Sequence, residues 1–133
     1  SMGGIVSRYY VQRLGGINRV QRFITISSPH NGTLTAYSLP FPGYLHMRPG
    51  SDLLRDLNQD VTMLKRLNFT SMWTPFDVMI LPANSSRMPV GKEVKLNVLL
   101  HRQMVTDSHS INALVEELKA PILKSKLPLK NHP

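Results

Sequence analysis

The chain has 133 residues and a mass of 15.0 kDa, and 41% of its residues are hydrophobic, which suits one domain with a packed core and excludes a wholly disordered segment. Sixteen Lys+Arg against eight Asp+Glu give a formal charge of +8 and a pI near 10.2, but the basic residues are scattered and lack interleaved aromatics, which argues against nucleic acid as a partner. No apolar run approaches the roughly 18 residues of a membrane span, and the absence of cysteine excludes disulfides and thiolate metal sites while leaving the compartment undetermined.

In chain order, Ile5, Val6, Tyr9, Tyr10 and Leu14 recur at helical spacing from Gly3 to Leu14, and Gly15-Gly16 supplies a stop. Val20 to Ser27 is β-branched and aromatic, and its Phe23-Ile24-Thr25-Ile26 centre suits a buried parallel strand. Helix, turn, strand is the second half of a βαβ unit, with the preceding strand expected ahead of Ser1. Residues 28–50 hold many Pro and Gly breakers and read as an irregular excursion of the kind that shapes binding sites.

Ser51 is placed to cap a helix running to about Arg66, with Leu53, Leu54, Leu57, Val61, Leu64 and Leu67 on its apolar face. Asp52, Asp56 and Asp60 form a second stripe that lacks a histidine, so a solvated face outweighs a metal site. A strand at Asn68 to Trp73 leads to Pro75-Phe76-Asp77, and a strand at Val94 to Leu100 ends directly at His101. The last helix, Ser108 to Lys119, turns Ile111, Leu114, Val115 and Leu118 inward and stops before Pro121. A Lys/Pro/Leu tail follows, without clear pattern.

Ser1-Met2-Gly3-Gly4 running straight into a helix matches the second half of a G-x-S-x-G nucleophile elbow, a tight strand-to-helix turn that exposes a serine oxygen between small residues. The helix N-terminus aims free N–H groups at a developing oxyanion, and the Met2 N–H is one expected donor; the other normally comes from an earlier loop. A serine needs an imidazole base, and the base a carboxylate. Asp77 and His101 each follow a strand and give the order serine, acid, histidine. His30 and His46 precede the acid, His109 falls inside the last helix, and His132 is in the tail; Glu93 precedes a strand and Asp107 follows the histidine.

Ser1-Met2-Gly3-Gly4-Ile5-Val6-Ser7-Arg8-Tyr9-Tyr10, followed by Phe23-Ile24-Thr25-Ile26-Ser27-Ser28-Pro29-His30-Asn31-Gly32-Thr33, resembles the bacterial triacylglycerol lipases and esterases of the α/β-hydrolase superfamily. The resemblance extends to about Leu118. It implies the C-terminal portion of a single α/β-hydrolase domain beginning at its nucleophile, with a parallel sheet of about three strands. The helix after Ser1 is expected on one face of that sheet, with the last helix packed against it. It also implies an ester or lipid substrate, no cofactor, no metal, and Ser1, Asp77 and His101 as a triad acting through an acyl-enzyme. Three N-x-[S/T] sequons, at Asn31, Asn68 and Asn84, then read as chance. An unpaired sheet edge is expected to promote self-association. Two other classes compete: an inactive α/β-hydrolase fragment serving as an interaction module, and a basic binder of membrane surfaces or nucleic acid. An esterase assay separates the first, and salt-dependent binding exposes the second.

Overall fold

A computed structural model describes residues 1–122 as a mixed α/β arrangement in which three parallel strands lie between helices. The strands are β1 (Arg22–Ile26), β2 (Asn68–Trp73) and β3 (Lys92–Lys95), in the spatial order β1-β2-β3. Arg22 to Ile26 pair in register with Asn68 to Met72, and Thr70 to Trp73 with Lys92 to Lys95. Helix α1 spans Met2–Arg13, α2 Pro42–His46, α3 Asp52–Asn58 and α4 Ser108–Lys119. The expected tail, with Lys124, Lys126, Lys130 and His132, lies outside the described residues beyond Ile122. Among the described residues no helix is long and apolar enough to cross a membrane.

Strand alternation separates two cores. Phe23 and Phe69 point to one face, where Val11 of α1, Ile17, Leu64 and Leu67 close over them. Ile24, Ile26, Met72 and Val94 point to the other, against Val98, Met104, Ala113 and Leu114. Each face of the sheet is therefore covered by helical structure over β1 and β2, whereas the third strand, Lys92-Glu93-Val94-Lys95, is charged and exposed apart from the half-buried Val94. At the outer side of β1 no strand pairs among the described residues.

Several boundaries differ from expectation, each for a local reason. Helix α1 buries Ile5, Arg8, Val11 and Gln12, while Val6, Tyr9, Tyr10 and Leu14 stay exposed. Two polar side chains can occupy the inner face because Arg8 donates to the Gln12 side chain and Gln12 donates to the Leu57 carbonyl and to Asp60. The expected helix from Ser51 to Arg66 begins under a Ser51 cap but stops at Asn58, and residues Val61–Arg66 continue as a 3-10 turn. Asp60 breaks it, with φ −132 and ψ 41, as its carboxylate turns to take Arg13 and Gln12. Asp56 and Asp60 together hold Arg13 and so tie α1 to α3 and the turn after it, while Asp52 stays exposed and pairs within α3 with Arg55. No metal-holding cluster of acids and histidines occurs among the described residues.

The third strand ends at Lys95 rather than running to Leu100, and His101 opens a separate 3-10 turn, His101–Val105. Helix α4 has the expected limits, but Ile111, Val115 and Leu118 are exposed and Ser110 is buried; only Ala113 and Leu114 reach the core beside Met104. The excursion after β1 contains two short pieces, a 3-10 turn at Leu34–Ser38 and α2.

Glycine is required where this excursion folds back. Gly32 has φ +85, and a Cβ there would stand 2.5 Å from the Pro49 backbone. Gly32→Ala should lower stability by roughly 1–3 kcal/mol, the usual range for such a left-handed position, with the clash adding to it. A urea midpoint unchanged from the parent would contradict this reading.

Candidate active site

All three parallel strands deliver their carboxyl ends to the same rim, where open parallel sheets generally place ligands. Beyond β2 the chain turns at Thr74, whose hydroxyl donates to the Val98 carbonyl at 2.6 Å and so ties this turn to the segment leaving β3. Asp77 follows, buried, with Oδ1 accepting the Met79 and Ile80 N–H groups at 2.9 and 3.0 Å. Its other oxygen, Oδ2, lies 2.8 Å from His101 Nδ1. Burial by itself would push the Asp77 carboxyl up, but the bonds from His101, Ile80 and Met79, with the histidine charge, outweigh it and hold the group below its ordinary value. The carboxylate thus fixes the ring through Nδ1 and leaves Nε2 without a hydrogen bond to protein among the described residues.

Ser1 stands at the N-terminus of α1, over the end of β1, and its amino group donates to the Ile26 carbonyl at 3.1 Å. Ser1 and His101 line one cavity of about 350 Å³ together with Ser27, Arg102, Met104 and Thr106. The structure therefore brings Asp77 and His101 into direct contact and sets Ser1 across a shared cavity, although no hydrogen bond joins the Ser1 hydroxyl to the imidazole. The Met2 N–H makes no hydrogen bond to protein among the described residues and stays free at the positive end of the helix.

Gly4, rather than Gly3, carries the close packing expected of the elbow. A side chain at Gly4 would collide with Ser28 and crowd Thr25, whereas nothing lies within 4 Å of a Cβ at Gly3.

Other residues frame this site without a signal that singles them out in the sequence. Ser27, directly after β1, adopts φ 49, unusual for a residue other than glycine, and its hydroxyl is buried without a partner. His30 is fully buried between Arg8 and Thr25, with Nδ1 3.4 Å from Arg8 and Nε2 3.0 Å from the Thr25 hydroxyl. Burial foremost, then the charges of Arg8 and the N-terminus, push its pKa down to about 3, so the ring is neutral and structural. Burial likewise brings Arg8 down to about 10.

Thr33 splices the loop after β1 to the loop that carries Asp77. Its Oγ1 donates to the Met79 carbonyl at 3.1 Å and accepts the Leu81 N–H at 2.8 Å, while the Thr35 hydroxyl donates to the same Met79 carbonyl at 2.7 Å. The sequence suggested only that Pro-His-Asn-Gly-Thr was a distinctive segment; the structure makes it a brace for the acid. Thr33→Val keeps the shape and removes these bonds, leaving the Leu81 N–H unpaired, and should cost about 1–3 kcal/mol. Thermal unfolding checks it, and a change within error of zero would contradict the bracing role. Comparison with known proteins finds no matching family model and no significantly similar curated protein.

Proposed function

We propose that the chain belongs to a carboxylic-ester hydrolase of the lipase and esterase kind, its sheet being part of an α/β-hydrolase fold. The observation that carries this reading is the buried Asp77 carboxylate held on His101 Nδ1 at 2.8 Å, beside a cavity that Ser1 shares. In the reaction Ser1 Oγ attacks the acyl carbonyl and its proton passes to His101 Nε2. The imidazolium, stabilised by Asp77, then returns that proton to the departing alkoxide as the carbon–oxygen bond breaks. Water, deprotonated by the same imidazole, attacks the acyl-enzyme, and the imidazolium returns that proton to Ser1 Oγ as the acyl carbon–Oγ bond breaks, releasing the acid. The Met2 N–H supports the negative oxygen at both tetrahedral stages.

A second reading, an inactive interaction module of the same fold, is favoured by one observation: Ser1 and His101 make no hydrogen bond in the structure. Hydrolysis of p-nitrophenyl butyrate separates the two. The expected result is turnover above the buffer rate that depends on Ser1 and His101. Turnover indistinguishable from buffer would leave only the second reading.

A further inference from the structure

Resting on the hydrolase reading, we infer that the substrates are esters with an acyl chain of short to medium length, and that the acyl chain and the alcohol lie in two different cavities meeting at Ser1. One is the 350 Å³ cavity that His101 lines, beside Arg102 and Thr106. The other, of about 320 Å³, also reaches Ser1 and lies between α2 and the loop after Asp77, with walls that include Met2, Ala36, Gly43, Met47 and Met79. His101 is absent from this second lining; a third, smaller cavity that Ser1 lines along β1 includes neither His101 nor Met2.

Chemistry assigns the two. The imidazolium must protonate the leaving alkoxide, so the alcohol lies on the His101 side. The acyl chain is then directed to the cavity bordered by Met2, whose free N–H would hold the carbonyl oxygen. Its character fits a hydrocarbon: Ala36 is fully buried and three methionines supply soft apolar walls, while of the four hydroxyl-bearing residues in the lining Ser1 is the nucleophile, Thr33 and Thr35 are both spent on the Met79 carbonyl, and Tyr44 adds one phenol. Its size sets the limit, because 320 Å³ lies near the bottom of the roughly 300–1,000 Å³ span of small-molecule sites. A long fatty chain would project into water. Gly43 sets one wall, and a Cβ there would stand 3.1 Å from the Met2 sulfur, so a larger side chain subtracts directly from the space.

Two measurements on the full 133-residue chain test this. The first needs no catalysis: with methyl-¹³C methionine, sodium octanoate should shift the Met2, Met47 and Met79 signals saturably and leave Met63, Met72 and Met88 in place. Uniform shifts, or none, would overturn the cavity assignment. The second compares labelling of Ser1 by methyl, octyl and hexadecyl p-nitrophenyl phosphonates below their micellar concentrations. Burying one methylene is worth about fourfold, so octyl, with three or four of its seven extra methylenes held in the cavity, should exceed methyl by on the order of 10²-fold and also exceed hexadecyl. Gly43→Leu should lower the octyl-to-methyl ratio at least about tenfold. A flat series, hexadecyl as the fastest reagent, or a ratio unmoved by Gly43→Leu would overturn the chain-length inference. Octanoate shifts without any phosphonate adduct on Ser1 would instead remove the hydrolase reading and keep the cavity as a medium-chain carboxylate site, so the two failures are distinct.

Discussion

Ser1→Ala should lower ester hydrolysis by about 10⁴–10⁶-fold while leaving the far-UV circular dichroism and the unfolding midpoint unchanged, because the exposed hydroxyl makes no hydrogen bond in the resting structure. Asp77→Asn should lose about 10⁴-fold through the wrong imidazole tautomer. These two variants differ in stability. Ser1 contributes an oxygen at the surface, whereas Asp77 is buried and accepts two backbone N–H groups beside the ring. The folded Asp77 carboxyl sits below its unfolded value, so its stabilisation is present above the unfolded pKa of about 3.9 and is lost as pH falls through the folded one. The Asn variant lacks that acid-dependent contribution. Equal activity of Ser1→Ala and parent in a p-nitrophenyl butyrate assay would remove Ser1 from the mechanism.

Mild acid should destabilise the fold through His30. Its folded pKa of about 3 lies below the unfolded value of 6.5, so between the two the unfolded chain binds the extra proton and stability falls as pH falls. The slope approaches about 1.4 kcal/mol per pH unit in that interval. Neutral His30 is a consequence of the fold, since burial and the Arg8 guanidinium both oppose a second positive charge there. Urea unfolding between about pH 7 and pH 5 should show the loss, and His30→Gln, which cannot titrate, should flatten it even if its stability at neutral pH is lower. A parent midpoint independent of pH over this interval would contradict the buried neutral ring.

Much of the strand architecture was legible because it depends on local chemistry. Phe23-Ile24-Thr25-Ile26 and Asn68 to Trp73 are β-branched and aromatic runs, and both form the paired parallel strands expected of them. The last helix kept its limits because Asp107 caps it, its carboxylate accepting the His109 N–H, and Pro121 follows it. What misled the reading was partnership across the chain. Periodicity alone placed Tyr9 and Tyr10 inward, but the inner face of α1 is decided by Arg8 and Gln12, whose partners stand on distant segments. The break after Asn58 depends in the same way on Arg13 drawing Asp60 out of helical geometry.

For the candidate site, chain order singled out Asp77 and His101, whose side chains stand 2.8 Å apart, although the strand expected to end directly at His101 stops at Lys95. The residues that hold them, Thr33 above all, have no such signature. Their role exists only once the loops after β1 and β2 meet. Ser27 is similar, an ordinary serine in the sequence that takes a left-handed conformation where the first strand ends.

The most direct measurement is the position of a covalent adduct. After reaction with a fluorophosphonate, peptide mass spectrometry should find the added mass on Ser1, within the segment ending at Arg8. The adduct should disappear in His101→Ala, whose fold should persist because that ring is at the edge of the site rather than in either core. An adduct located on another residue, or labelling of Ser1 at the same rate without His101, would contradict the proposed nucleophile and its activation.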